Sequence, residues 1–498
     1  MKNGFDNSLY IKKQTEQILK RVEQFHHKLY LEFGGKLFDD YHAARVLPGF
    51  NVNGKILLLR ELKEKVEIVI CINANDIAKN KIRADLGITY DMDCFRLIDK
   101  IRNMGLYVSS IVITQYTQTS SLLSSADMFY NKLRHRGEKV TIHKPINDYP
   151  MNAELAVSDN GYGANPYIET SKPLVVVTAP GPGSGKMATC LSQIYHEHKR
   201  GIKAGYAKFE TFPVWNLPLN HPVNLAYEAA TADLNDVNCI DPYHLEAYGK
   251  VAVNYNRDIE VFPLVKNILA QIMGNEKAYK SPTDMGVNMA GFCIADGAAV
   301  KEAAKQEIIR RYFKTLCYYK EGCLSFSAVE KLEIIMKQLE LTQGHRPQVL
   351  PAMEKSRQNK CPAAALILHD GSIVTGRTTD ILSASSSLIL NCIKKLADIS
   401  DDIHLIAPFV LEPMLMLKEK ILCDNNPLLS LEEVLNALSI CAATDPAAKK
   451  CLSKLHDLKG CDAHSSHILS KSDESTLKKL DINITCTPEY SSNDLYYE

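Results

Sequence analysis

The sequence predicts an α/β protein with a mostly parallel, doubly wound sheet, because strand-like apolar runs alternate with helical patterns through its first half. The runs over 66–72 and 109–113 are apolar enough to form central strands that are buried on both faces. A glycine-rich loop also joins an apolar run to a helical pattern, which is typical of a phosphate-binding strand–loop–helix element. With 498 residues, the chain is long enough for several domains.

The predicted elements of this first half follow one another in a regular order. They are a helix over 9–25, a strand over 28–33 closed by Gly34-Gly35-Lys36, a helix over 55–65, a strand over 66–72, a helix over 93–104, a strand over 107–116, a helix over 124–136 and a strand over 139–146. A polar loop over 150–173 then leads into the glycine-rich element. Because strands and helices alternate, we expect a parallel sheet with right-handed crossovers.

The glycine-rich element reads LVVVTAPGPGSGK and ends at Lys186, and the helical pattern MATCLSQIYHEHKR follows it at once. A strand over 202–209 completes one strand–helix–strand unit. In such a loop, backbone N–H groups and the helix N-terminus surround a phosphate, and the lysine adds a mobile positive charge. The predicted phosphate-binding residues are Gly181, Gly183, Ser184, Gly185, Lys186 and, after the first strand, Lys36.

This loop departs from the standard phosphate-binding pattern G-x-x-x-x-G-K-[ST] at two positions. Pro180 replaces the first glycine, and Met187 replaces the serine or threonine whose hydroxyl binds Mg²⁺. The sequence therefore predicts binding of a nucleotide such as ATP, or of another phosphorylated metabolite, without establishing hydrolysis. The alternative is a tight turn between strand and helix that binds nothing.

The segment after the loop, from Glu210 to Asp296, is dense in polar and aromatic residues held in short, proline-rich turns. Such side chains in loops either bind ligand or satisfy buried backbone. Histidine titrates near neutral pH, and Mg²⁺ takes carboxylates together with substrate phosphates. The candidate catalytic residues are Lys186, Glu210, His221 and His244, and the candidate Mg²⁺ ligands are Asp233 and Asp236. The alternative to metal binding in this segment is helix capping, since Asp233 and Asp241 both precede helical patterns.

Composition excludes several classes of protein. Lys+Arg and Asp+Glu both total 58, so no basic surface for nucleic acid or anionic membrane is expected. Fourteen cysteines are scattered without a C-x-x-C pair, and no signal peptide or apolar spanning run is evident, which favours a reduced, cytoplasmic protein. Cys461, His464 and His467 are metal-ligating types, but they lack a nearby fourth ligand and a familiar zinc spacing.

A second region follows the first, and we place the boundary between domains 1–325 and 326–498, with a helical insertion near 220–325. In the second region, PAAALILHDGSIVTGR predicts a strand–turn–strand with Asp370-Gly371 at the turn. A helix over 380–396, a short strand over 404–406 and mainly helical segments to about residue 458 come next. This pattern predicts a smaller α/β C-terminal domain.

Several long motifs resemble an uncharacterised bacterial protein family of chains of this length. They are LYLEFGGKLFDDYHAARVLPGF, NKIRADLGITYD, TAPGPGSGKMATCLSQIYHE, AGYAKFETFPVWNLPLNHPVNLAYEAATADLNDVN and SPTDMGVNMAG. The resemblance runs the full length and implies a domain of unknown function with a separate C-terminal domain. Some members carry ATPase or ATP-dependent protease labels, but H-E-x-x-H is absent from this sequence.

The second region also resembles cytidine-deaminase-like domains in its strand–turn–strand–helix order. The zinc-binding H-x-E and P-C-x-x-C elements are absent, so the resemblance implies architecture and not deaminase chemistry. Two functions remain open. The first is a Mg²⁺-dependent enzyme of phosphoryl transfer or hydrolysis acting on a small phosphorylated ligand, and the second is a non-catalytic metabolite-binding or assembly protein. Either could form homo-oligomers.

Overall fold

The computed structural model describes residues 3–25, 28–83, 86–117, 123–424, 426 and 428–492. The chain forms two compact units. One contains the described residues from 3 to 231 together with 235–304, and the other contains 232–234 and the described residues from 305 to 492. The glycine-rich loop belongs to the first unit, and the strand–turn–strand belongs to the second.

The first unit is built on one seven-stranded, all-parallel sheet with the strand order β11-β8-β1-β7-β2-β5-β6. Two short antiparallel pairs, β3–β4 and β9–β10, lie outside this sheet. In chain order the strands are β1 (Leu29–Phe33), β2 (Val66–Asn73), β3 (Ile82–Arg83), β4 (Ile88–Thr89), β5 (Val108–Thr114), β6 (Val140–Ile142), β7 (Leu174–Thr178), β8 (Gly205–Phe209), β9 (Asn238–Ile240), β10 (Val253–Tyr255) and β11 (Gly286–Val287).

Helices connect the strands and cover the sheet. Across both units the described α-helices are α1 (Asn7–Gln24), α2 (Tyr41–Val46), α3 (Gly54–Glu61), α4 (Ala74–Ala78), α5 (Tyr90–Asn103), α6 (Leu123–His135), α7 (Ala153–Ala156), α8 (Lys186–Lys199), α9 (Pro222–Ala230), α10 (Pro242–Tyr248), α11 (Asn256–Met273), α12 (Pro282–Met285), α13 (Gly297–Lys320), α14 (Phe326–Gln338), α15 (Val349–Asn359), α16 (Ala384–Ala397), α17 (Pro408–Met416), α18 (Leu431–Cys441), α19 (Pro446–Ser453) and α20 (Lys471–Lys479).

The position of β7 decides where a ligand could bind. It lies between β1 and β2, and every residue of β7 is buried. From β1 the chain crosses β7 and joins the sheet again at β2, on the far side of β7. From β7 the chain crosses β1 in the opposite direction and joins the sheet again at β8. In open α/β sheets, ligands bind beyond the carboxyl ends of strands at such a switch point. The glycine-rich loop occupies this location.

The second unit has a four-stranded sheet with the order β13-β12-β14-β15. β12 pairs antiparallel with both of its neighbours, and β14 pairs parallel with β15. Its core includes Leu366, Leu388, Ile393, Leu438 and Ala463, all buried. The strands are β12 (Ala363–Ile367), β13 (Ile373–Arg377), β14 (Asp462–Ser465) and β15 (Asn483–Cys486).

The predicted fold class is confirmed: a parallel α/β sheet with a strand–loop–helix element and a separate, smaller α/β sheet. The predicted strand over 404–406 is wrong, because Leu405 and Ile406 are buried in irregular backbone. These residues are apolar and lie in the core, but no strand in the described part of the chain pairs with them. The segment predicted as a helical insertion contains helices and also three strands, β9, β10 and the edge strand β11. No described helix is long and apolar enough to cross a membrane.

Candidate functional site

The glycine-rich loop leaves β7 after Thr178 and ends where α8 begins at Lys186. Gly183 and Gly185 have φ values of 72° and 80°, in the left-handed region that disfavours residues with a Cβ. Gly181 is required for a different reason, because a Cβ at this position would overlap the phenol ring of Tyr90. Local backbone geometry and packing therefore require all three glycines, whether or not the loop binds a ligand.

Two side chains from neighbouring strands hold the carbonyl groups of this loop. The Thr114 hydroxyl at the end of β5 donates to the Ser184 carbonyl at 2.9 Å. The Asn73 amide at the end of β2 donates to the Gly183 carbonyl at 3.0 Å. With these carbonyl oxygens bound toward β2 and β5, the conformation of the loop is fixed by the sheet.

The N–H groups that follow are unsatisfied. Gly185 is the N-cap of the 14-residue helix α8 and provides no side-chain cap. Within the described chain, the backbone N–H groups of Gly185, Lys186, Met187 and Ala188 have no acceptor. Lys186 is half-buried, and its ammonium has no hydrogen bond or ion pair among the described residues. The positive helix terminus and the lysine form a local surface suited to an anion.

A carboxylate lies close to the other side of the loop. The Lys81 ammonium is 5.0 Å from the centre of the Tyr90 ring that packs on Gly181, and 3.2 Å from one Asp76 carboxylate oxygen. The second oxygen of Asp76 is buried and has no hydrogen-bond partner among the described residues. Asp76 is at the start of α4, directly after β2. Lys36, predicted to bind phosphate, is half-buried after β1 at the same edge of the sheet.

A second cluster of charged residues surrounds Lys208 on β8. Its ammonium contacts the carboxylates of Glu210, at 3.0 Å, and Asp258. On the adjacent strand β1, Glu32 is in register with Lys208 and accepts a hydrogen bond from Tyr206 at 2.7 Å. Only 4% of the Glu210 side chain is exposed. Three carboxylates and one ammonium are thus held together at low exposure.

These contacts change the proton affinities of the cluster. Burial raises the pKa of Glu210 to about 7; the charge of Asp258 adds to the rise and that of Lys208 opposes it. Burial alone would lower the pKa of Lys208, but Asp258, Glu210 and Glu32 raise it above its usual range. The lysine therefore stays charged, while Glu210 can gain or lose a proton near neutral pH, as a general acid or base must.

The two candidate histidines have identifiable local roles. His221 is the N-cap of α9, where its Nδ1 accepts a hydrogen bond from the Val223 N–H at 3.3 Å. Burial lowers the pKa of His221, which favours the unprotonated ring that this cap needs. His244 lies within hydrogen-bond distance of the Ser281 hydroxyl, at 3.1 Å, and its ring lies against Tyr248. Neither histidine bonds to Lys186.

The two candidate metal ligands are not paired with each other. Asp236 is buried, and Arg257 binds it with a shortest distance of 2.6 Å. Asp233 is exposed on a 3₁₀ turn over 232–234. Across the part of the chain that the structure describes, no three histidine, cysteine or acidic side chains are placed to hold one metal ion. Mg²⁺ binding at these aspartates stays a prediction.

Sequence reasoning overlooked Lys208 and named neither Asp258 nor Asp76 as a site residue. A signal for Lys208 was present, because a charged residue within the apolar run GYAKF of a buried strand needs a partner. Glu32 in LYLEF carries the same signal on β1. The approach of Asp258 could not be read from the sequence, since it depends on how α11 packs beyond the sheet. The sequence assigned Glu210 and Lys186 to one candidate catalytic site. In the structure they follow strands β8 and β7, and β1 lies between these two strands.

The fold and the site define an α/β protein whose seven-stranded sheet is open and all-parallel, with a glycine-rich strand–loop–helix element at the centre of that sheet. Residues 3–340 match the N-terminal domain of unknown function DUF1846, and residues 344–496 match the C-terminal domain of the same family. The chain belongs to this family. It is 56% identical to a UPF0371 protein of Clostridium botulinum (strain Alaska E43 / Type E3) and 57% identical to one of Clostridium tetani (strain Massachusetts / E88), each over the full length of both chains.

Proposed function

We propose that this protein binds a small phosphorylated metabolite, such as a nucleotide, at the loop from Gly181 to Lys186. The observation that carries the proposal is a row of four backbone N–H groups, from Gly185 to Ala188, that have no acceptor in the described part of the chain, beside Lys186, which has no partner there either. A phosphate would accept from these groups and offset the charge of Lys186. The loop is already held in place by Asn73 and Thr114, so binding would cost little ordering of the backbone.

The buried, unpaired oxygen of Asp76 supports a ligand larger than inorganic phosphate. A carboxylate beside a phosphate site can accept a hydrogen bond from a ligand hydroxyl or bind Mg²⁺. Met187 replaces the residue whose hydroxyl usually binds the metal, and we propose Asp76 as a carboxylate that could take its place. In the enzymatic form of the proposal, Lys186 stabilises charge on a transferred phosphoryl group.

A cytoplasmic location is part of the same proposal. All fourteen cysteines are free, as in proteins of reducing compartments, where phosphorylated metabolites are abundant. The charge balance of the chain favours neither nucleic acid nor membrane as a partner. The proposed site is built within one chain, so the proposal holds equally for a single copy and for a homo-oligomer.

Calorimetric titration with inorganic phosphate, pyrophosphate, AMP and ATP tests the binding step. Lys186→Ala should weaken binding of every bound anion by about 1.5–3 kcal/mol, the strength of a charge-assisted hydrogen bond. Lys203→Ala removes an exposed lysine just after α8 and is the matched control. Unchanged affinities in Lys186→Ala, or an equal loss in Lys203→Ala, would contradict the proposal.

ATP hydrolysis separates the enzyme from the non-catalytic alternative. Met187→Ser restores the hydroxyl of the standard pattern and should raise Mg²⁺-dependent hydrolysis if the site is a degenerate nucleotide hydrolase. Brisk hydrolysis by the unmodified protein would instead mean that a carboxylate such as Asp76 already serves the metal. If both proteins bind phosphate and neither turns ATP over, the chain is a metabolite-binding protein.

A further inference from the structure

A cavity of about 330 Å³ lies beside the edge strand β11, and none of its lining residues belongs to the glycine-rich loop. Its walls come from α1, from the irregular segment after β8, from α10 and the residues that follow it, and from the chain after β11. The side chains that give it chemical character are Arg21, Trp215, His244, Lys250 and Phe292. This volume is in the range of sites that bind small organic molecules.

Aromatic rings make one part of the wall. Trp215 is the only tryptophan of the chain, and its six-membered ring lies so close to Gly286 that any Cβ there would overlap it. Phe292 also lines the cavity and leaves 51% of its surface exposed. The His244 ring is fixed by Ser281 and Tyr248. A flat apolar molecule would cover the half-buried indole and the exposed Phe292 ring, over which the Lys13 ammonium also lies at 5.7 Å from the ring centre.

Two positively charged side chains at the cavity have no ion-pair partner among the described residues. In this part of the chain the Arg21 guanidinium donates to neutral acceptors, the Gln24 side chain at 3.1 Å and the Gly286 carbonyl at 3.5 Å. Lys250 is exposed and has no ion-pair partner among the described residues. The one acidic residue of the lining, Asp284, accepts hydrogen bonds from the Tyr248 hydroxyl at 2.8 Å and the Lys280 N–H at 3.0 Å. Two cations are therefore available to a ligand, and the carboxylate is already engaged.

Arg21 is held at this position by the way α1 packs on the edge of the sheet. Gln14, Gln17 and Arg21 follow one another at helical spacing along one face of α1. Gln14 is fully buried and binds β11 and the chain just after it, donating to the Val287 carbonyl and accepting from the Met289 N–H, both at 2.8 Å. This contact fixes the helix against β11, so Gln17 and Arg21 are directed at the cavity in a preorganised arrangement.

We propose that this cavity is a second ligand site, for a small aryl-substituted carboxylate. The flat apolar part of the ligand lies against Trp215 and Phe292, and its carboxylate pairs with Arg21 and Lys250. Arginine presents a planar pair of donors that matches a carboxylate, which favours this group over a neutral amide or alcohol. The site lies outside the glycine-rich loop, and its ligand is a different molecule from the phosphorylated metabolite proposed there.

The fluorescence of the single tryptophan reports directly on this cavity. We expect 3-phenylpropionate to change the Trp215 emission in a saturable manner, with affinity at least tenfold higher than that of the neutral 3-phenylpropanamide or of propionate. Arg21→Gln should reduce the affinity for 3-phenylpropionate about tenfold and reduce the preference for the acid over the amide, of which Lys250 retains a part. Lys20→Gln, an exposed neighbour on α1, is the control and should bind like the unmodified protein.

A linear, non-saturating response to all three probes would overturn the proposal, as would equal affinities for acid and amide. An equal loss in Lys20→Gln would show that charge at a distance, and not the Arg21 contact, is responsible. Gly286→Ala gives a second measurement, because its new methyl group must displace the indole: the emission of the free protein should shift and the saturable response should disappear. Lys186→Ala should leave the response unchanged, so loss of the phosphate site and loss of this site are distinguishable.

Discussion

The buried carboxyl of Glu210 should make the free energy of unfolding depend on pH in a defined direction. Its pKa rises from the usual 4.5 to about 7 in the folded protein, chiefly because the group is buried. Below pH 4.5 both the folded and the unfolded chain hold this proton, and its contribution to stability is fully present. As the pH rises toward 7 and beyond, the unfolded chain releases the proton first, so folding becomes less favourable.

The size of the effect follows from the two pKa values. At about 1.4 kcal/mol for each pKa unit, the full change is about 3 kcal/mol. Most of it, about 2–3 kcal/mol, falls between pH 5 and pH 8. Glu210→Gln cannot titrate and keeps the shape of the side chain, while Asp258 remains as a partner for Lys208. Relative to Glu210→Gln, the unmodified protein should therefore lose about 2–3 kcal/mol of stability over this interval.

Urea unfolding of both proteins at several pH values between 5 and 8 measures this difference, because groups that titrate alike in both cancel. Glu246→Gln, which removes an exposed glutamate of α10, controls for the loss of one negative charge and should follow the unmodified protein. A difference between the unmodified protein and Glu210→Gln that stays constant across the interval would refute the reasoning. It would mean that Lys208 keeps Glu210 ionised at all these pH values.

Two further predictions concern the contacts that hold the loop and the second unit. Thr114→Val keeps the shape of the side chain but leaves the buried Ser184 carbonyl without its donor, so we expect a loss of about 1–3 kcal/mol in urea unfolding and weaker phosphate binding. Thr114→Ser retains the hydroxyl and should bind phosphate normally; equal weakening in both variants would contradict the role of the hydrogen bond. Asp473 is buried and accepts from the Ser383 hydroxyl and the Leu431 N–H, both at 2.7 Å, at the starts of α16 and α18. Asp473→Ala should cost about 2–4 kcal/mol in the unfolding of the second unit, whereas the partly exposed Glu474→Ala should cost less than about 1 kcal/mol.

The sequence by itself determined the class of fold and the place of the glycine-rich loop. Runs such as those over 66–72 and 174–177 can only be buried on both faces, and their alternation with helices leaves few arrangements other than a parallel sheet. The glycines after β7 are needed locally, by left-handed backbone at Gly183 and Gly185. These features depend on residues that are close together in the chain, and for that reason they can be predicted from the sequence.

Only the tertiary structure decided which polar groups meet. Strand order is set by packing between distant segments, so the sequence could not show that β1 separates β7 from β8 and places Glu210 apart from Lys186. The approach of Asp258 to Lys208, and of Arg21 to Trp215, joins residues far apart in the chain. The short strands β11 and β15 exist because a neighbouring strand supplies their hydrogen bonds, and their own residues carry too weak a pattern to predict them.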